Sequence, residues 1–259
     1  PCSVPAVRIT LLRHATIVVA LGGRRILVDP MLDPAGARAP VRGTPEPRPN
    51  PLVPLPVTPE EAVAGIDAVI VTHTHEDHLD AAGVTALPRN LPVFCQPDDL
   101  PELVPLGFSD IRPLPDAPAG WDGLTLARTR GRHAHDDRMA AGLGPVSGVA
   151  LSAPGEPAVL VAGDTVWCPE LDAAIAAHRP EWIVVNAGAA RFVEGGLITM
   201  GAEDVIAVAR AAPEATVVAV HMEAINHCLE TRADLAGAVE AAGLAGRVLI
   251  PADGESVGP

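Results

Sequence analysis

The chain has 259 residues, 48% of them hydrophobic, enough to bury a sizeable core within one large α/β domain or two small ones. A net charge of -14 offers no basic field to phosphate backbones or anionic lipids, so nucleic acid is excluded as an expected partner. With no tyrosine and 2% aromatic residues, base-stacking platforms and aromatic cages are excluded as well.

No apolar run reaches the roughly 18 to 20 residues that span a bilayer, and PCSVPAVRIT lacks a basic region followed by an apolar core. The expectation is a soluble, cytoplasmic protein with no membrane partner. Cys2, Cys95, Cys168 and Cys228 are scattered singly, which suits buried thiols better than a zinc knuckle or a disulfide framework.

In chain order, short β-branched runs separated by turn residues predict strands over 7–12, 16–20, 25–28, 68–71, 93–95 and 124–129, then 146–151 and 159–162. Those over 182–185, 216–220 and 247–250 are almost continuously apolar, as in strands covered on both faces. Helical patterns fall at 59–64, 79–87, 98–106, 169–177, 202–212 after a potential cap at Thr199, and 232–241 before Gly243. The first half runs strand after strand and the second alternates strand with helix, which predicts sheets with helices outside them. Residues 33–57 carry a proline every few positions and can be neither helix nor central strand. A loop of this length in a compact domain is expected to be a lid over an active site or a structural arm. Neither an internal repeat nor a domain boundary is visible.

The stretch THTHEDHLD, residues 72–80, carries the chemistry. In an extended segment His73 and His75 point the same way and can grip one ion. A turn over 76–78 lets Asp77 and His78 aim at a second position beside it. A solvated turn has no need of imidazoles at this spacing, so the reading is a metal site. Further donors stand at strand ends: Asp164 after Val159-Leu160-Val161-Ala162-Gly163, placed to bridge two ions, and His221 after Val217–Val220. His133 and His135 follow the strand ending near Thr129. His133 is preferred because it lies nearer the sheet edge, and His135 is expected to be solvated.

The order His73-x-His75-x-Asp77-His78, then His133, Asp164 and His221, resembles the metallo-β-lactamase fold superfamily over nearly the whole chain. RHATIVVALGGRRILVDPML, AGDTVW and VAVHMEAINH are similar to the branch containing L-ascorbate 6-phosphate lactonase. The resemblance implies an α/β (α+β) fold, a four-layer αββα sandwich, as a single metallo-hydrolase domain over 1–259. It implies one ion on His73, His75 and His133, another on Asp77, His78 and His221, and Asp164 between. Zinc, manganese and iron suit such donors alike. Leu79-Asp80 departs from the small residue and glycine common in the family.

The expected activity is a hydrolase in which a hydroxide bridging two divalent ions cleaves a small ester, lactone or phosphoester. Asp77 is expected to orient the nucleophile or take its proton, and His227 to protonate the leaving group. Asn186, Glu223 and Asn226 are expected to touch substrate, and His14 to play a supporting part. The alternatives are a phosphodiesterase on nucleotides or phospholipids, an iron-dependent oxidoreductase, and a metal-binding protein without turnover. The partner is a small-molecule substrate, and a homo-oligomer is left open.

Overall fold

A computed structural model describes residues 7–258, so Cys2 lies outside the described residues. The strands β1 (Arg8–Arg13), β2 (Thr16–Leu21), β3 (Arg24–Val28), β4 (Ala68–Val71), β5 (Val93–Cys95) and β6 (Ile111–Pro113) lie side by side in that order. A second sheet runs from β7 (Ala119–Trp121) through β8 (Leu124–Arg130), β9 (Ser147–Ser152), β10 (Val159–Val161), β11 (Trp182–Asn186) and β12 (Thr216–Val220) to β13 (Val248–Leu249). The chain then returns to the first sheet, where β14 (Ser256–Val257) flanks β1.

The predicted strands form within a residue or two of their expected bounds. β6, β7 and β14 were not anticipated, because two or three residues carry too little periodicity to read. Along β1, Ile9 and Leu11 turn to the space between the sheets, where they meet Leu126, Val149, Val184 and Val218 of the second sheet. Leu27, Val69 and Val71 face the other way, against α1 (Pro59–Val63), α2 (Ala81–Ala86) and α3 (Leu100–Leu103). After α4 (Asp137–Leu143), the helices α5 (Pro169–His178), α6 (Ala202–Ala211) and α7 (Arg232–Ala241) cover the second sheet through Leu171, Val205, Val208 and Leu235. The result is the four-layer αββα sandwich. One apolar layer shared by both sheets supports reading the chain as one domain.

Local chemistry fixes the ends of several elements. Thr58 and Glu61 form a capping box on α1, and Thr231 with Asp234 does the same for α7. Thr199 does not cap α6, which starts from Gly201; its hydroxyl instead accepts from Ala190 N and donates to Ala187 O. Asp80, which departs from the family pattern, caps α2 by accepting from Gly83 N and also accepts from Asp33 N.

The proline-rich segment is both an arm and a wall. The buried Arg13 donates to Met31 O, Asp33 O and Val53 O, while Arg38 and Asn50 exchange backbone hydrogen bonds across its neck. Further along, Val41 N donates to Asn226 Oδ1, and Val193 N to Gly43 O. Among the described residues no helix is long and apolar enough to cross a membrane.

Candidate metal centre

Nearly every candidate ligand leaves the end of a strand. β4 runs into THTHEDHLD, β10 into Gly163-Asp164, β12 into His221, β8 toward His133, and β3 into Asp29. These strands pair in parallel on one side of each sheet, β3 with β4 and β10 through β12 in series, so their C-terminal ends open on one edge. The two edges meet at the site.

Three imidazoles converge first. His73 Nε2 stands 2.9 Å from His75 Nδ1, and His133 Nε2 stands 3.3 Å from the same atom. Their outer nitrogens settle which atoms carry protons. His75 Nε2 faces Leu143 O at 3.2 Å and His133 Nδ1 faces Ile198 O at 2.8 Å; a carbonyl only accepts, so both nitrogens are N–H donors. Thr72 Oγ1 directs its own proton to Asp29 Oδ2 and therefore accepts from His73 Nδ1. Three lone pairs are thus turned toward one another with no proton among them. Such an arrangement repels unless a cation sits there, and outer partners of this kind are those that orient metal-bound histidines.

A second group lies beside the first. Asp77, His78 and His221, with His14, bring donor atoms within 4.8 Å of one another. Asp164 lies between the groups: Oδ2 is 3.2 Å from His78 Nε2 and 3.5 Å from His133 Nε2, whereas Oδ1 is 3.3 Å from His221 Nε2. Despite these approaches, His78 Nε2 and His221 Nε2 are buried and have no aligned hydrogen-bond partner. Orphaned buried nitrogens opposite carboxylate oxygens fit a bound metal ion.

Burial lowers the pKa values of His73, His75 and His221, so these imidazoles are neutral and ready to donate at pH 7. Burial pulls His78 the same way, but Asp164 and Asp29 outweigh it and raise its pKa well above the usual value. Burial would raise Asp77, yet the hydrogen bond from His14 and the charge of His78 hold it well below the usual carboxylate range.

Asp29 was missed in the sequence. It is buried, accepts from Thr72 N at 2.8 Å and Thr72 Oγ1 at 2.7 Å, and lies 2.7 Å from His78 Nδ1, so that the Nδ1 proton points to it and Nε2 is the nitrogen aimed at the cluster. Its signal was the Val-Asp at the end of β3, the same pattern that flagged Asp164. Asp29→Asn is expected to weaken metal binding about 10- to 100-fold, measured by chelator competition, because the charged partner of His78 is lost.

Gly163 explains how Asp164 reaches the site. Its φ is +69°, and a Cβ there would stand 2.5 Å from Ser147 O. Gly163→Ala should cost about 2–4 kcal/mol and lower the melting temperature, since both the backbone and a rigid neighbour resist it.

The residues expected to touch substrate are turned elsewhere. Asn186 donates to Asp164 Oδ1 at 2.7 Å and so steadies that carboxylate. Glu223 pairs with Arg232 and accepts from its backbone N–H. The buried Asn226 spends its amide on Val41, Thr44, Glu46 and Asn50 of the arm. None of the three lines the cleft above the cluster, of about 510 Å³, whereas His227 does. His227 is buried, its ring runs nearly parallel to that of Phe192, and its Nδ1 has no partner. His135 stays at the surface, half exposed, 3.1 Å from Asp204. Arg132 is taken up by Asp137 and by the carbonyls of Ala134 and His135. Cys228 does more than fill space, since its Sγ lies 3.6 Å from His221 Nδ1.

Comparison with known proteins identifies the family. The family profile described as Beta-lactamase superfamily domain matches residues 24–222. The UPF0173 protein YddR of Bacillus subtilis is 38% identical over 96% of this chain and 98% of its own length. Among solved structures, an isothiocyanate hydrolase from Delia radicum gut bacteria is 38% identical with a TM-score of 0.91, covering 96% of this chain and 98% of the other. A possible metal-dependent hydrolase from Veillonella parvula is 31% identical with a TM-score of 0.93, covering 97% and 99%. The chain belongs to the beta-lactamase superfamily, with the metallo-β-lactamase fold, and is a metal-dependent hydrolase.

Proposed function

We propose that the protein holds two divalent ions and hydrolyses small, uncharged compounds at an electrophilic carbon. The observation that carries this reading is Asp164, whose Oδ1 faces His221 and whose Oδ2 faces both His78 and His133, so that one carboxylate reaches both groups of donors. His73, His75 and His133 would hold one ion, Asp77, His78 and His221 the other, and Asp164 would touch both. When bound, such a pair lowers the pKa of a shared water toward neutrality and polarises the bond under attack.

The protein's own groups then handle the protons. Asp77, kept ionised, orients the attacking water and accepts its proton. His227 lines the cleft; burial lowers its pKa, so it is neutral at pH 7 and passes to the leaving atom a proton that it first receives.

The cleft supports the substrate class. Its walls include Val41, Leu143, Phe192, Ile198 and Ile225, and its one arginine, Arg38, is engaged by Asp33 and by Glu76 O. Beyond the proposed ions, an anionic phosphoester would meet walls that, among the described residues, carry the acidic Glu76 and Asp77 and a single arginine already paired with Asp33, whereas a neutral molecule with an apolar tail would be well covered. Isothiocyanates are therefore the first class to try, given the Delia radicum gut-bacterial relative, with small esters and lactones beside them. In the first case water oxygen adds to the central carbon, both protons reach nitrogen, the C–N bond breaks, and an amine and carbonyl sulfide leave. Protein loaded separately with zinc, manganese or iron should turn over at least one aryl isothiocyanate, ester or lactone and leave a nucleotide phosphodiester intact. Activity confined to the phosphodiester would overturn the substrate class.

A further inference from the structure

We infer that His14 is a positioning residue, donating Nε2–H to Asp77 and thereby fixing the carboxylate that His78 and His221 share. The inference rests on Asp77 being a ligand, as proposed above.

His14 sits in the turn between β1 and β2, with a φ of 58° and no exposed surface. A left-handed backbone costs a residue other than glycine about 1–3 kcal/mol. The next turn, between β2 and β3, meets the same demand with Gly22 and Gly23, at φ 59° and 72°. Holding a bulky ring in that conformation calls for a compensating contact, and the side chain makes one. His14 Nε2 lies 3.3 Å from Asp77 Oδ2, while Nδ1 is buried with no partner. A neutral imidazole carries one N–H, and among the described residues Asp77 is the only acceptor its ring nitrogens meet, so the proton belongs on Nε2. Two further contacts lock the ring in place. Its centroid is 3.5 Å from that of His221, and His14 O accepts from His221 N at 2.9 Å. One residue of the β1–β2 turn therefore braces both Asp77 and His221.

The rival role is direct coordination, since His14 lies within the same donor group. His14→Asn and His14→Gln separate the two. Asparagine adopts left-handed backbone readily and keeps the turn, but is too short to reach Asp77; glutamine restores the reach. Stepwise metal affinities would be measured by chelator competition, and cobalt(II) absorption would report coordination number. The expected result is that H14N still binds as many ions as wild type, with one of them loosened about 10- to 100-fold and an unchanged cobalt spectrum, and that H14Q recovers part of the loss. In an Asp77→Ala background, which leaves His14 nothing to hold there, His14→Asn should add little. Unchanged affinity in H14N, together with H14Q, would reduce His14 to a turn residue. Loss of one ion with a stronger cobalt absorption would make it a ligand, and a wild type that binds no ion at Asp77 would remove the reading beneath both.

Discussion

Asp164→Ala is expected to leave one ion or fewer per chain and to cut turnover on the order of 10³-fold or more, beyond what losing an outer partner costs. Among the described residues Asp164 is the carboxylate that pairs with both donor groups, His133 of one and His78 and His221 of the other, and Asn186 holds it in place. Its removal takes one ligand from each group and brings His78 Nε2 and His221 Nε2, already without aligned partners, closer to an uncompensated state. Metal analysis of purified wild type and variant reads the first effect directly. Stability gives an independent reading: an ion present at 100 times its Kd stabilises by about 2.7 kcal/mol. At about 2–4 °C per kcal/mol for a chain of this size, chelation should lower the wild-type melting temperature by roughly 5–10 °C per ion. The variant should lose most of that response. An undiminished metal content in the variant would remove Asp164 from the centre.

Asp77→Asn is the second large expectation. Asparagine has nearly the same shape, can still accept the N–H of His14, and can still offer an oxygen toward His221, but it cannot take a proton. A positioned base contributes about 10²–10⁴-fold, so kcat should fall by that factor with KM little changed. Restoring full metal occupancy should not rescue it. Near-normal turnover in the metal-loaded variant would sink the role of Asp77 as base and leave it a ligand only.

The sheets were legible because their strands are apolar runs bounded by turns, and most of the proposed ligands because they follow those runs directly. His133 over His135 could be chosen from distance to the strand end, and the structure brings His133 to the cluster while His135 stays half exposed. What could not be read depends on contacts between distant parts of the chain. Asp29 was missed, and His14 was given a supporting part without its partner, because they come into place only when β3 lies beside β4 and the β1–β2 turn reaches Asp77. Asn226 was taken for a substrate contact because it follows His221, yet the arm from residues 41–50 folds back and occupies its amide. The arm itself showed what it was not, neither helix nor strand, and nothing in its prolines announced Arg13 or Asn226 as its anchors. Substrate class was likewise beyond the motif, since the walls come from the arm, α4 and the loop carrying Phe192.

The most direct test is a crystal structure of the protein purified with zinc, with anomalous scattering recorded above and below the zinc edge. Two peaks are expected, one against His73 Nε2, His75 Nδ1 and His133 Nε2, the other against Asp77, His78 Nε2 and His221 Nε2, with Asp164 between them. A single peak at full reconstitution, or peaks away from these atoms, would contradict the two-ion account.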